Sequence, residues 1–194
     1  MAERGPGRPR NPEIDESVLE VARHHLATHG YTAMSVAAVA EDAGTTRQAL
    51  YRRWSSKADL ATAAIAAMAR ATEPPPTDDP FDDLVRELAA FRRGVSRPDG
   101  VSMVGTMLIE STDPDLVALY RARIVTPRRE RFRRILERGV RARLLDSDAD
   151  IEIALNLCTG SWYANALTGR PPPRRWAQRV ATLVWRSLGG GSTR

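Results

Sequence analysis

The spacing of apolar positions makes the chain helical almost throughout. No stretch alternates apolar and polar residues as a half-buried strand would. Ile14, Val18, Val21, Ala22 and Leu26 recur at intervals of three and four and so share one stripe of a first helix. That helix starts near Asn11 with Pro12 in its first position, and Gly30 ends it. A second helix follows Ser35, turns Val36, Val39 and Ala40 inward, and stops at Gly44. A third runs from Thr45 or Thr46 to about Trp54. Thr45 and Gln48 have capping-box spacing, and either threonine can be the N-cap. Ser56 and Asp59 repeat the signature and open a fourth helix that reaches Ala71.

The stretch TEPPPTDDP then interrupts the pattern, because three consecutive prolines cannot continue a helix. Residues 72–80 are therefore a linker. Beyond it the pattern predicts longer helices at about 81–96, 101–111, 113–144, 147–168 and 173–188. Asp113 and Pro114 resemble a cap and a first helical residue, and Pro127 should bend the long helix near its middle. Gly169 and the prolines at 171–173 separate the last two helices. The expected fold class is all-α. A compact unit over 11–71 is followed by a larger bundle over 81–188, with a flexible basic arm at 1–10 and a disordered tail at 189–194.

Composition narrows the class. The 194 residues are 42% hydrophobic and 6% aromatic, and no apolar run reaches membrane-spanning length. The N-terminal MAERGPGRPRNPE lacks the apolar core of a secretory signal, so a cytoplasmic protein is expected. Its single cysteine, Cys158, excludes an internal disulfide and a multi-cysteine metal site, and reads as a small apolar filler. Net charge is +5, carried by 28 arginines and one lysine against 24 acids. Residues 1–70 hold nine basic and eight acidic groups, but the basic ones gather at Arg8 and Arg10 and from Arg47 to Lys57. Segregation of this kind suits a binding face for a polyanion.

The third helix carries the candidate chemistry. From Thr45 to Lys57 there is no acid at all. Leu50 and Trp54, four residues apart, can pack inward, which leaves Thr46, Arg47, Gln48, Tyr51, Arg52 and Arg53 on outer faces. Two short helices joined by a glycine turn and backed by an amphipathic helix make a helix-turn-helix, whose second helix enters the DNA major groove. Arginine can bind guanine bidentately and glutamine can pair with adenine, while hydroxyls bind phosphates and fix register. Lys57, a cation in the first turn of the fourth helix, sits at the positive helix end, a penalty that a phosphate would relieve.

From Val18 to Leu60 the sequence resembles the DNA-binding region of the TetR-type repressor family. The matching residues are Val18, Leu19, Val21, Ala22, Gly30, Tyr31, Val39, Ala40, Ala43 and Gly44. They continue with Leu50, Tyr51, Trp54, Ser56, Lys57 and Leu60. The resemblance implies phosphate contacts from Ser35, Thr46, Tyr51, Arg53 and Lys57, and groove contacts from Thr45, Arg47 and Gln48. Arg8 and Arg10 would reach an adjacent minor groove. Gln48 stands where the family often has glycine, and Thr45–Thr46 where valine–serine is common, departures that bear on base preference.

The resemblance also implies a homodimer on a palindromic double-stranded DNA operator, paired through the last two helices. Candidate interface residues are Leu155, Gly160, Trp162, Tyr163, Trp176, Val180, Leu183 and Val184, with packing inside the subunit as the alternative for each. It further implies a small-molecule effector in the bundle. Phe91, Met103, Met107, Leu108 and Trp162 are candidates to line its pocket, with an ordinary core as the alternative. Glu110 would either face a cationic ligand or cap a helix end.

Residues 121–143 hold ten arginines and two acids, read as a solvated cationic face in preference to an anion-binding surface. His24, His25 and His29 suggest a metal cluster, but partly exposed helix residues are the simpler reading, and no metal or other cofactor is expected. GxGxxG, Walker, HExxH and GxSxG patterns are absent, which argues against an enzyme. An architectural coat protein would spread its charge and lack a large apolar second unit.

Overall fold

The computed structural model describes residues 12–96 and 113–191, and every regular element among them is helical. The expected basic arm, the predicted helix at 101–111 and the candidates Met103, Met107, Leu108 and Glu110 lie outside the described residues.

Helix α1 (Pro12–Ala33) buries Val18, Ala22 and Leu26, but Ile14 at the end of the predicted stripe is 41% exposed. Gly30 breaks the helix with φ +72°, and the Met34 N–H donates to its carbonyl at 3.1 Å. Helices α2 (Val36–Asp42), α3 (Arg47–Tyr51) and α4 (Lys57–Ala71) follow, each N-capped by a hydroxyl: Ser35, Thr46 and Ser56. The third helix is shorter than predicted, and Trp54 lies in the turn after it. Leu50, Trp54, Val39, Ala40 and Leu60 join the α1 stripe in one apolar cluster.

Asp79 accepts from the Phe81 and Asp82 N–H groups and caps α5 (Pro80–Val95), with Pro80 in the first turn. Asp113 caps α6 (Pro114–Tyr120) in the same way through Leu116 N–H at 3.0 Å. A π-helical turn (Arg121–Val125) then joins α6 to α7 (Thr126–Arg141), and the Thr126 N–H reaches back five residues to the Arg121 carbonyl. Pro127 explains the discontinuity. It has no N–H, and its ring would crowd the carbonyl four residues earlier, so the wider turn carries the chain past it. Helices α8 (Ile151–Leu167) and α9 (Trp176–Ser187) complete the bundle. The penultimate helix starts later than predicted because Asp150 is its cap and Arg143, at φ 58°, is already in the preceding turn. Gly189 and Gly190, placed in the disordered tail by the sequence, donate to the Arg186 and Trp185 carbonyls and close the end of α9.

A second apolar cluster fills the bundle: Phe81, Leu84, Leu88 and Phe91 of α5 against Phe132, Leu136, Cys158, Trp162, Trp176, Val184 and Trp185. Leu116 and Ile124 belong to the first cluster instead, so α6 and the π turn pack on the N-terminal helices although they lie beyond the linker.

The arginines of 121–143 are largely structural ties, which corrects the solvated-face reading. Arg131 pairs with Glu87 at 2.9 Å and Arg138 with Asp83 at 2.6 Å, both carboxylates being at least 95% buried. Arg123 bridges to Asp59 of α4 at 2.7 Å and also donates to Thr62 Oγ1. Arg129 donates to Asn156, and Arg133 pairs with Glu152, both on α8. A guanidinium suits this role because its fixed fork of donors satisfies a buried carboxylate in one orientation.

Candidate nucleic-acid interface and ligand cavity

The turn between α2 and α3 is set by one glycine. Gly44 takes φ +63°, its N–H donates to the Glu41 carbonyl at 3.0 Å, and the Thr45 N–H donates to the Ala40 carbonyl at 2.8 Å. This pair of bonds is a Schellman motif, and the left-handed residue it needs is unstrained only in glycine. Thr46 then caps α3 by accepting from the Ala49 N–H at 3.1 Å, which leaves its own hydroxyl proton for another acceptor. With Leu50 99% buried, the helix can show only one face to solvent, and Thr46, Arg47, Gln48, Tyr51 and Arg52 are all exposed on it. The Arg47 guanidinium lies 5.4 Å from the centre of the Tyr51 ring, which steadies a long cationic side chain outside the fold. Thr45 is half-buried in the turn, and Ser35 caps α2 from an exposed position.

Two further candidates already have protein partners. Arg53 pairs with Asp15 of α1 at 2.6 Å, and so anchors the end of α3 to the helix behind it. The Lys57 ammonium donates to the Thr32 carbonyl at 2.9 Å and sits 4.6 Å from the Tyr31 ring centre, so the protein itself relieves the strain of a cation at a helix start. The Tyr31 hydroxyl donates to Asp113 at 2.6 Å, which ties this corner to the cap of α6. That bond and the Leu116 N–H hold the Asp113 carboxyl below its ordinary range. Burial works to raise Asp59, but bonds from Ser55 and Arg123 outweigh it and lower it. Helix α4 is thereby held at its start by charged contacts from both α6 and the π turn.

In the bundle, a cavity of about 350 Å³ opens between α5, α6, α7 and α8. Apolar Phe91, Val117, Val125, Phe132 and Leu155 form one part of its lining, and Tyr120, Arg128, Thr159 and Tyr163 supply polar groups. Its volume lies at the low end of the range of about 300–1,000 Å³ found for ligand pockets. Burial pushes the Tyr120 phenol up to about 12 and raises Tyr163 as well, so both remain O–H donors at neutral pH.

Comparison with known proteins agrees with this geometry. Residues 18–64 match the model of bacterial regulatory proteins of the tetR family, and residues 74–184 match the tetracyclin repressor-like C-terminal domain. The chain belongs to the TetR family. An uncharacterized HTH-type transcriptional regulator of Mycobacterium tuberculosis is 31% identical over 182 residues, covering 92% of this chain and 87% of that one. The Bacillus subtilis regulator YdeS is 28% identical over 165 residues, covering 84% and 83%. The crystallised TetR family transcription regulator SCO0332 shares the fold at TM-score 0.75 and 24% identity, over 91% of this chain and 98% of its own. This chain is a TetR-family transcriptional regulator with a DNA-binding helix-turn-helix.

Other candidates are distributed differently from expectation. Phe91 lines the cavity, but Trp162 does not: it is 94% buried in an aromatic cluster, its ring 5.3 Å from Trp176 and 6.4 Å from Phe91. Leu155, Trp176, Val180 and Val184 are enclosed in the subunit's own core and have little surface left for a partner. Gly160 and Leu183 are exposed, and Tyr163 belongs to the cavity. The sequence reading missed Ile153, Leu157 and Leu167, which are large, apolar and exposed, and which share a stripe of α8 with Gly160 and Ala164. Their heptad spacing is visible in the sequence, within the helix expected to pair with its mate, but which of its faces is exposed is not. Also missed were Tyr120 and Arg128; their chemistry depends on burial, which spacing alone does not show.

The histidine triplet resolves into a structural contact, since His25 is 93% buried with Nε2 2.7 Å from Asp42, while His24 and His29 stay exposed. Burial pushes the Cys158 thiol up to about 12, as befits an inert filler.

Proposed function

We propose that this TetR-family regulator is a homodimeric repressor that binds a palindromic operator and leaves it when a small molecule enters the bundle. The observation that carries the DNA reading is the acid-free outer face of α3. It presents two arginines, a glutamine, a threonine and a tyrosine while Leu50 and Trp54 fix it from behind. Arg47 and Gln48, near the start of α3, are the groove-reading residues; Ser35, Thr46, Tyr51 and Lys57 contact phosphates. Arg53 contributes through Asp15, as a brace with donors to spare.

The dimer is assigned to the exposed stripe Ile153, Leu157, Gly160, Ala164 and Leu167 of α8 with Leu183 of α9, an apolar face that water alone would leave uncompensated. The Gly160 position is open, with no atom within 4 Å of an added Cβ, so a partner helix can approach closely there. Effector release follows from the layout. The cavity is lined by Tyr120 and by Arg121 and Val125 of the π turn, whose Arg123 holds Asp59 of α4. A ligand that favours a different setting of that turn moves α4, and the spacing of the two α3 helices with it.

Footprinting on the DNA flanking the gene tests the reading. Protection of an inverted repeat with half-sites about 34 Å apart is expected. Protection that is indifferent to sequence, or binding by a monomer, would refute it.

A further inference from the structure

The cavity contains a cation that no carboxylate pairs with among the described residues. Arg128 rises from α7 into the lining with its guanidinium carbon 5.3 Å from the Phe91 ring centre, and its Nε is fully buried without a hydrogen-bond partner. Among the described residues no ion pair reaches it, in contrast to Arg123, Arg129, Arg131, Arg133 and Arg138 on the same stretch of chain. Glu87 is the carboxylate whose charge bears on it, and Glu87 is held by Arg131 at 2.9 Å. Burial pushes the Arg128 guanidinium below its ordinary value, yet arginine does not lose its proton in a protein, so the site stays cationic. Tyr120 and Tyr163 stand close enough to Arg128 to feel its charge, and neither hydroxyl has a hydrogen-bond partner among the described residues. No carboxylate lines the cavity among those residues, and Arg121 and Arg129 add two further cations to the lining, Arg129 being paired with Glu152 at 3.2 Å.

A desolvated cation, two neutral O–H donors and an apolar wall define a complementary molecule. We infer that the cavity binds an organic carboxylate with a compact apolar body, its carboxylate held by Arg128 with Tyr120 and Tyr163 donating to the same oxygens. A guanidinium matches a carboxylate bidentately, and such charge-assisted bonds are the strong ones. The stem of Phe91, Phe132 and Leu155 receives the body. The biological role of this ligand rests on the effector reading above; its binding does not.

Titration calorimetry on the full-length protein tests the charge preference with matched probes: 2-naphthoate, 2-naphthamide and 2-naphthylmethylamine, and decanoate, decanamide and decylamine. At least one carboxylate should bind about tenfold or more tightly than its amide, with the amine weaker still. Arg128→Met keeps the aliphatic stem over Phe91 and should abolish that preference, while Tyr163→Phe should reduce it severalfold. Amides or amines binding as well as the carboxylates, a preference that survives Arg128→Met, or no carboxylate binding at millimolar concentration would each overturn the inference. The wild-type comparison stands even if a variant misfolds. Operator binding measured in parallel separates the two readings. A carboxylate that binds through Arg128 without weakening operator binding supports the site and refutes the effector role. A neutral or cationic compound that occupies the cavity and releases the operator does the reverse.

Discussion

At single residues, the DNA face and the cavity make opposite demands. Tyr51 is 41% exposed and its ring packs under Arg47, so Tyr51→Phe removes a hydroxyl and little else. Operator affinity should fall uniformly across sequence variants, with the melting temperature unchanged, as for a phosphate contact. Gln48→Ala should instead cost about 1–3 kcal/mol on the preferred site and relax discrimination at one base position, read by competition binding on variant operators. Gly44→Ala acts on the fold: an alanine at φ +63° should cost about 1–2 kcal/mol of stability in chemical denaturation. Arg128→Met is expected to stabilise. Removing a buried, unanswered nitrogen returns about 1 kcal/mol or more, a rise of about 2–4 °C in melting temperature, at the loss of the ligand preference.

Among the elements, the helix-turn-helix was the most legible part of the chain. Its signals are local: hydroxyl caps at Ser35, Thr46 and Ser56, a glycine at the left-handed position, and inward apolar residues three and four apart. The same spacing says less in α8, where Ile153, Leu157, Gly160, Ala164 and Leu167 repeat as cleanly as any core stripe and yet face solvent. Periodicity reports that residues share a face, and only the fold decides whether that face is turned inward. The roles of the arginines were equally hidden. Arg128 and Arg131 are three positions apart on one helix; one meets Glu87 and the other meets none, a difference made by residues 40 or more positions away. Pro127 did announce a break, though as a bend and not as a π turn. Arg123 within that turn carries a prediction of its own. Arg123→Ala releases Asp59 and Thr62 together, and should both lower the melting temperature and blunt the effect of any effector on operator binding.

For the molecule as a whole, stability depends on carboxylates at the joints. Asp59, Asp83 and Asp113 all titrate below the ordinary 3.8: against burial, the Ser55 N–H and then Arg123 hold Asp59 down, and Arg138 with Thr77 holds Asp83, while Tyr31 and the Leu116 N–H hold Asp113. As pH falls through that range the unfolded chain takes up protons first, so their stabilisation is complete at neutral pH and is lost on further acidification. The melting temperature should therefore be level from pH 7 to about 5 and drop steeply below about 4. Dimerisation is checked by Leu157→Asp with Leu183→Asp. Each puts a charge on the exposed stripe without touching the core. A monomer in sedimentation, with operator affinity lost and helicity retained, is the expected result.

Lys57 has one more consequence. It carries the chain's only side-chain primary amine, and it sits beside the recognition helix, against Tyr31 and Thr32. An acylating reagent therefore has a single internal target, so a mass increment on the peptide around residue 57 reports whether DNA covers that corner, with no label to engineer.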